Sequence, residues 1–351
     1  MKEFEINDGI LTKYYGEGGS VVVPDGVMCI AEDAFFNCTN ITSVVLPQGI
    51  TSIGARAFKC CDSIEKLTLP ESITSIGSEA FAYCFKLSCI DLPDSIASIN
   101  NSAFSFCETL GSINCYETEN SEKFYTSKDG ILYTQDEKTL VCCPARAVSG
   151  LFEVPKGIIN IASHAFKGCS ELKKLILPES IMNIGDDAIS YCDSVISVDL
   201  PDSVASIGKK VFLLCEQLDA INCYKTPNKE KHYRSKDGIL YTKDGKTLVC
   251  YPTGKVSSSY IVPKGVKFIG AFAFVGNLWI KHVSLPEGLL NIGEGAFSEC
   301  VELQDITIPK SVTTIEHPAF LEDRCFVIQG VTDSYAEIYA KENNIKFEGI
   351  E

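Results

Sequence analysis

Residues Leu69–Asp91 read LPESITSIGSEAFAYCFKLSCID, and most of the 351-residue chain is a variation on these 23 positions. One copy has its own turn signals but too few apolar side chains to build a core alone, so it needs neighbours of its own kind. The proline shows the period. Pro24, Pro47, Pro70 and Pro93 lie 23 residues apart, as do Pro155, Pro178 and Pro201, and again Pro263, Pro286 and Pro309. Two gaps of 62 residues separate these runs, each longer than one unit by 39, so that Pro47, Pro155 and Pro263 repeat at 108. Ten short units and two matching islands predict a solenoid, which lengthens by stacking and needs no separate domains despite the chain's length.

Within a unit, Leu87, Ile90 and Leu92 mark a strand, with Ile64, Leu67 and Leu69 as their equivalents one coil earlier. Proline ends that strand because it has no ladder donor to give. A polar turn follows (Glu71-Ser72, Asp94-Ser95), and the chain returns through pairs such as Ile73 and Ile76 to a glycine. An Ala-Phe step then inserts a ring into the core at Phe35, Phe58, Phe81, Phe104, Phe166, Phe274, Phe297 and Phe320, with Ile189 and Val211-Phe212 as departures. Three residues later comes a cysteine column: Cys38, Cys61, Cys84, Cys107, Cys169, Cys192, Cys215 and Cys300, with Asn277 and Asp323 as replacements. Coils about 4.8 Å apart are close enough for a disulfide, but near-translation keeps equivalent Cβ vectors parallel. The column is therefore expected to hold reduced thiols acting as small apolar fillers.

The expected organisation is a β cap at 1–20, turning at Asn7-Asp8-Gly9, and four coils over 21–115. An island at 116–153, three coils over 154–223, a second island at 224–261 and three coils over 262–328 follow, with a C-terminal cap at 329–351. Both islands contain SKDGILYT, a polar turn, TLVC and a proline, and are expected as inserted β-hairpins flanked by irregular chain. In the last segment Ser334-Tyr-Ala-Glu337 reads as a capping box. A helix over 334–343 would then place Tyr335, Ile338 and Tyr339 on one face, ahead of a last strand at 345–347.

The pattern Cys-x-x-Leu-x-x-Ile-x-Leu-Pro followed by Ile-x-x-Ile-Gly-x-x-Ala-Phe-x-x-Cys resembles the BspA-like (Treponema-type) leucine-rich repeats. The Asp8–Leu11 start, the SKDGILYT islands and the Ser-Tyr-Ala-Glu end carry the same resemblance. It implies a curved, right-handed leucine-rich-repeat solenoid, mostly β with short convex turns and a concave parallel sheet. It also implies a non-enzymatic, adhesin-like protein-binding role at the cell surface or in secretion. A glycan-binding module and a cytosolic interaction scaffold are the alternatives. The opening MKEFEINDGIL lacks the apolar core of a signal peptide and the closing KFEGIE lacks an anchor tail, so the sequence alone defaults to the cytoplasm.

A net charge of −15, with 45% hydrophobic and 22% charged residues, argues against nucleic acid and anionic membranes as partners. No run approaches the ~18 apolar residues that suggest a membrane-spanning helix. His164, His232, His282 and His317 stand in unrelated settings without zinc-ligand spacing. No redox role is expected of the vicinal Cys60-Cys61, which shares a member with the column, or of Cys142-Cys143. Gly16–Gly19 reads as a turn in the cap, Asp186-Asp187 as a solvated edge, and the sequons at Asn37, Asn40 and Asn100 lie in repeat turns. No catalytic residue, cofactor or metal ligand is expected, and the chain is expected to be a monomer.

What remains is a face. The strand positions pointing away from the core are Ser43, Val45, Lys66, Thr68, Asp91, Asn114, Lys174, Ile176, Asp199, Asn222, His282, Ser284, Asp305 and Thr307. An extended sheet of this kind is the default binding surface of repeat proteins, here for a protein of host or matrix origin or for a glycan. The row lacks the Trp, Tyr and Arg typical of hot spots, so it reads equally as a solvated sheet. Tyrosines lie instead on the islands, at Tyr125, Tyr133, Tyr233 and Tyr241, where a projecting hairpin would present them and a packed one would bury them.

Overall fold

The computed structural model describes residues 3–118, 123–226, 230–320 and 326–350. Each coil lays down one long strand and one two-residue strand on different sides of a β-solenoid. The long strands form three parallel sheets. Gly19–Val22, Ile41–Val45, Lys66–Thr68, Cys89–Pro93 and Ser112–Tyr116 make the first, and Gly150–Glu153, Leu172–Ile176, Ser197–Pro201 and Ala220–Tyr224 the second. Ser259–Ile261, His282–Ser284, Asp305–Ile308, Val327–Gly330 and Lys346–Gly349 make the third. The register follows the sequence period: Val44 lies opposite Leu67, Leu67 opposite Ile90, and Ile90 opposite Ile113.

The phenylalanine column is the interior. Phe35–Phe58, Phe58–Phe81 and Phe81–Phe104 stack at 4.7, 5.5 and 5.6 Å, and Phe274–Phe297–Phe320 continue the pattern at 4.8 and 5.3 Å. Phe166, fully buried, has Phe152 as its tilted neighbour at 5.9 Å. Such burial is worth about 1.5–3 kcal/mol per ring.

The cysteine column does more than fill space. The thiols of Cys61, Cys84 and Cys107 donate to the carbonyl oxygens of Phe35, Phe58 and Phe81 at 3.1, 3.2 and 3.0 Å. Cys192, Cys215 and Cys300 do the same to Phe166, Ile189 and Phe274 at 3.0, 3.0 and 3.1 Å, and Cys169 reaches Cys143 O at 3.6 Å. A thiol is small enough for the space and adds a second, weak donor to a carbonyl that, at Phe35, Phe58, Phe81, Phe166 and Phe274, already accepts the backbone N–H three residues on. Cys38, in the first coil, is only partly buried. Every described cysteine is free of disulfide bonding.

Asn277, fully buried, takes a cysteine's place with four bonds. Its Nδ2 donates to Pro252 O and Thr253 O, both at 3.1 Å, and its Oδ1 accepts from the N–H groups of Trp279 and Ile280 at 3.0 and 2.9 Å. It is a polar node between an island and the next coil. Asn277→Ala is expected to cost about 3 kcal/mol, because the buried partners lose their bonds together. A urea midpoint shifted by the equivalent of less than ~1 kcal/mol would show that they re-pair. Asp323 lies outside the described residues.

The islands are not projecting inserts. In the first, Tyr125–Lys128, Ile131–Thr134 and Thr139–Cys142 form an antiparallel meander whose last strand pairs parallel with Asn160–Ile161 of the next coil. The second repeats this with Tyr233–Lys236, Ile239–Thr242, Thr247–Cys250 and Phe268–Ile269. The amino-terminal cap is built alike: Phe4–Asn7 and Ile10–Tyr14 are antiparallel, and the latter pairs parallel with Cys29–Ile30. All three hairpins turn on Asp-Gly with positive φ at both residues (49° and 77°, 51° and 76°, 53° and 77°), the conformation a type I′ turn demands.

Alternation along these strands sends side chains both ways. Leu132 and Val141 join the core that precedes the first island, while Ile131, Tyr133 and Leu140 join the core that follows it. In the second island Leu240 belongs to the middle core, and Ile239, Tyr241 and Leu248 belong to the last. Each island is therefore a partition with two apolar faces.

The carboxy-terminal helix, Tyr335–Glu342, differs from expectation in two respects. Ser334 makes no side-chain cap bond; Glu337 instead accepts the Asp333 N–H at 2.7 Å. Its buried residues are Ala336, Tyr339 and Ala340, while Tyr335 and Ile338 are exposed. Ala336 and Ala340 leave room on that face for the Tyr339 ring, which sits 6.0 Å from the ring of Phe320.

Candidate functional site

Two residues before the strand-ending proline, side chains of the long strands point outward. In the first sheet this file runs Val22, Val45, Thr68, Asp91, Asn114; in the second, Glu153, Ile176, Asp199, Asn222; in the third, Ile261, Ser284, Thr307, Gln329. Within the first sheet the file passes from apolar to polar.

The polar end is fixed by rungs between adjacent coils. Asn114 Nδ2 donates to Asp91 Oδ1 at 2.9 Å, and Asn222 Nδ2 donates to Asp199 Oδ1 at the same distance. Lys174 Nζ pairs with Asp199 at 2.8 Å. Burial pushes the Asp199 carboxyl up, but the bonds from Lys174 and Asn222 outweigh it and hold the group below its ordinary range. One file further over, His282 Nδ1 lies 2.7 Å from Asp305 Oδ2, and Ser43 Oγ donates to Ser20 Oγ at 3.0 Å. Thr307 Oγ1 donates to Gln329 Oε1 at 3.2 Å. The side chain of Lys66 lies outside the described residues.

The apolar end is open. Val22 and Val45, directly paired across strands, are 64% and 54% exposed; Leu151 is 56% and Ile261 76% exposed. Val22, Leu151 and Ile261 are absent from the row read from sequence. The signal was present for two of them: Val21-Val22-Val23-Pro24 and Tyr260-Ile261-Val262-Pro263 place an apolar residue at the outward position of the first strand in the first and third sheets. Beside Ile176 a cleft of about 510 Å³ opens at the strand ends, lined by Glu153, Lys156, Ile176, Pro178 and Tyr224 among others. Tyr224 takes the place of the repeat proline and reaches across two coils to donate to Leu177 O; Tyr116 does the same to Leu69 O at 2.9 Å.

The island tyrosines are not presented to solvent. Tyr133 and Tyr241 are each 3% exposed and belong to the cores. Burial pushes the Tyr133 hydroxyl up to about 12, and the Tyr241 hydroxyl lies 2.6 Å from that of Tyr260. Tyr125 is half-buried and accepts the Ile99 N–H at 3.1 Å, and Tyr233 packs partly buried on the middle core. A hairpin with apolar residues on both faces has no free side on which to display them.

Among the described residues no three His, Cys, Asp or Glu side chains are grouped to hold a metal ion, and no helix is long and apolar enough to cross a membrane. Cys142 and Cys143 are both buried, with their thiols pushed up by that burial and so far from nucleophilic.

Stacked short coils, a continuous ring column and a parallel sheet with an ordered outer face define a leucine-rich-repeat solenoid. The family model described as "BspA type Leucine rich repeat region" matches in six copies over residues 14–128, 150–233 and 251–333, and the chain belongs to that family. Among solved structures it is similar to a leucine-rich repeat protein from Eubacterium ventriosum, with 20% identity, a TM-score of 0.56, and 89% of this chain covering 87% of that one. It is also similar to a leucine rich cell surface protein from Faecalibacterium prausnitzii, with 22% identity, a TM-score of 0.51, and 99% of this chain covering 93% of that one. These likenesses are of fold. No curated protein matches the chain.

Proposed function

We propose that the chain is a non-enzymatic protein-binding scaffold of the adhesin-like, surface-exposed kind, docking a partner on the outer face of its long-strand sheets. The observation that carries this reading is the pairing of a rigid polar stretch with an open apolar one. The Asn114–Asp91, Asn222–Asp199 and Lys174–Asp199 rungs hold their groups in place before any partner arrives, which lowers the ordering cost of association. Val22, Val45 and Ile176 supply surface that gains from losing water. The surface setting draws support from family membership and from the description of the Faecalibacterium neighbour.

The test is an immobilised chain challenged with a panel of extracellular-matrix proteins. At least one should bind, and a Val45→Asp, Ile176→Asp double variant should weaken that binding at least tenfold, since each charge would have to be buried against the partner. A silent panel, or binding indifferent to the double variant, would overturn the proposal. A silent panel together with a positive glycan array would move the reading to sugars, whose hydroxyls suit the Asn–Asp rungs as donors and acceptors.

A further inference from the structure

An ordinary coil travels five positions from its inward short-strand residue to its core ring, as from Ile269 to Phe274; the second island coil travels only three, from Leu248 to Tyr251. The missing residues are those of the turn that elsewhere covers the edge of the solenoid. Their loss leaves a cleft of about 300 Å³ between the turns Lys209–Leu213 and Phe272–Val275. Its walls are largely apolar, from Val211, Leu213, Val249, Phe272 and Val275, and its charged lining is Lys209, Lys210 and the carboxylate of Asp186, which accepts the Lys209 N–H. None of these residues belongs to the long-strand sheets, so the cleft is separate from the docking face.

The chain carries its own comparison. At the first island, where the coil is equally short, the positions of Leu214, Glu299 and Val275 are held by Phe106, Tyr191 and Lys167. There Phe106 meets Tyr191 edge-on at 4.9 Å, and the Lys167 ammonium lies 5.4 and 5.3 Å from the two ring centres. The second island has no such bundle.

The charge also differs. Corresponding turn positions are Glu32-Asp33, Ala55-Arg56, Ser78-Glu79, Asn101-Ser102, Ser163-His164, Asp186-Asp187, Ala271-Phe272, Glu294-Gly295 and His317-Pro318, and only here are both lysine, in a chain of net charge −15. Lys209 pairs with Glu294 at 2.7 Å, and its N–H donates to Asp186 Oδ1. The Lys210 ammonium sits 4.6 Å over the Phe272 ring, and among the described residues it has no carboxylate within ion-pair distance. A cation held over an aromatic face beside an apolar recess matches a ligand with one anionic end and an apolar body.

We propose that this cleft binds a small amphipathic monocarboxylate of about ten non-hydrogen atoms, its apolar body against Val211, Val249 and Val275 and its carboxylate on Lys210. The probe is 4-phenylbutyrate, with the uncharged 4-phenylbutanamide beside it, titrated into the full chain by ligand-observed NMR. The acid is expected to bind with a Kd of roughly 1 mM or tighter, and the amide at least fivefold more weakly. Lys210→Gln should erase that preference while leaving the amide's affinity unchanged, and Val249→Trp should abolish binding of both. Equal binding of acid and amide to the parent chain would overturn the proposal. So would acid binding that survives Val249→Trp, or none at all up to ~10 mM. Should Val249→Trp fail to fold, Lys210→Gln, a change on a half-exposed side chain, decides alone.

Discussion

Raising the pH above 9 is expected to unfold this chain steeply. An ordinary thiol gives up its proton near pH 9, whereas burial pushes Cys107, Cys250 and Cys300 up to about 12 and also raises Cys61, Cys84 and Cys142. Between those limits the unfolded chain has released protons that the folded chain still holds. Stability is therefore complete below pH 9 and falls as pH climbs toward 12, by about 1.4 kcal/mol per unit for each such thiol. Cys107, Cys250 and Cys300 alone would contribute roughly 4 kcal/mol per unit, and the buried hydroxyls of Tyr133 and Tyr251, also pushed up to about 12, add to the loss above pH 10. Urea midpoints recorded from pH 7 to 10.5 check this; a flat profile across pH 9–10.5 would mean that the thiols titrate freely in the folded chain. The same burial predicts that Ellman's reagent finds the seven buried ladder cysteines, Cys61 to Cys300, only in denaturant, because the core excludes it, while the partly buried Cys38 is reached sooner.

Phe81→Ala should cost about 3–5 kcal/mol, the range for removing a large ring from a core that cannot collapse around the space. Phe81 is fully buried between Phe58 and Phe104, with ring centres at 5.5 and 5.6 Å. Coils above and below are tied to it by a fixed register, so the void has few ways to close. The damage should also be local. Leu132 and Val141 end the first core, and the ring column resumes beyond the partition. Hydrogen exchange measured with the urea midpoint is expected to speed up around Phe58 and Phe104 and to stay unchanged around Phe274 and Phe297. A cost below ~1 kcal/mol would mean that the rings are not the core, and equal acceleration throughout would mean that the partitions do not separate the interior.

The stacking period was legible because translation by one coil puts every residue beneath its own equivalent, so proline, phenylalanine and cysteine recur at fixed intervals. Outward positions followed for the same reason, and the Asn114–Asp91 rung was implicit in two residues 23 apart. Other features depended on partners that periodicity does not name. The thiol's role needs the carbonyl of a phenylalanine 26 residues earlier. Periodicity leaves the islands open between projecting and packed hairpins, although Ile131-Leu132-Tyr133 is apolar without interruption, the mark of a strand buried on both faces. In the last helix spacing groups Tyr335, Ile338 and Tyr339, but of these only Tyr339 packs inward, together with Ala336 and Ala340.

The hairpin that opens the chain returns twice, each time able to finish what lies behind it and to start what lies ahead. A gene segment encoding one 108-residue block can thus be copied in tandem without any unfamiliar junction having to be invented. Selection acting on such an array would adjust its reach by changing the number of copies, while substitutions confined to one copy, such as the paired lysines of the second boundary, give that block a character of its own.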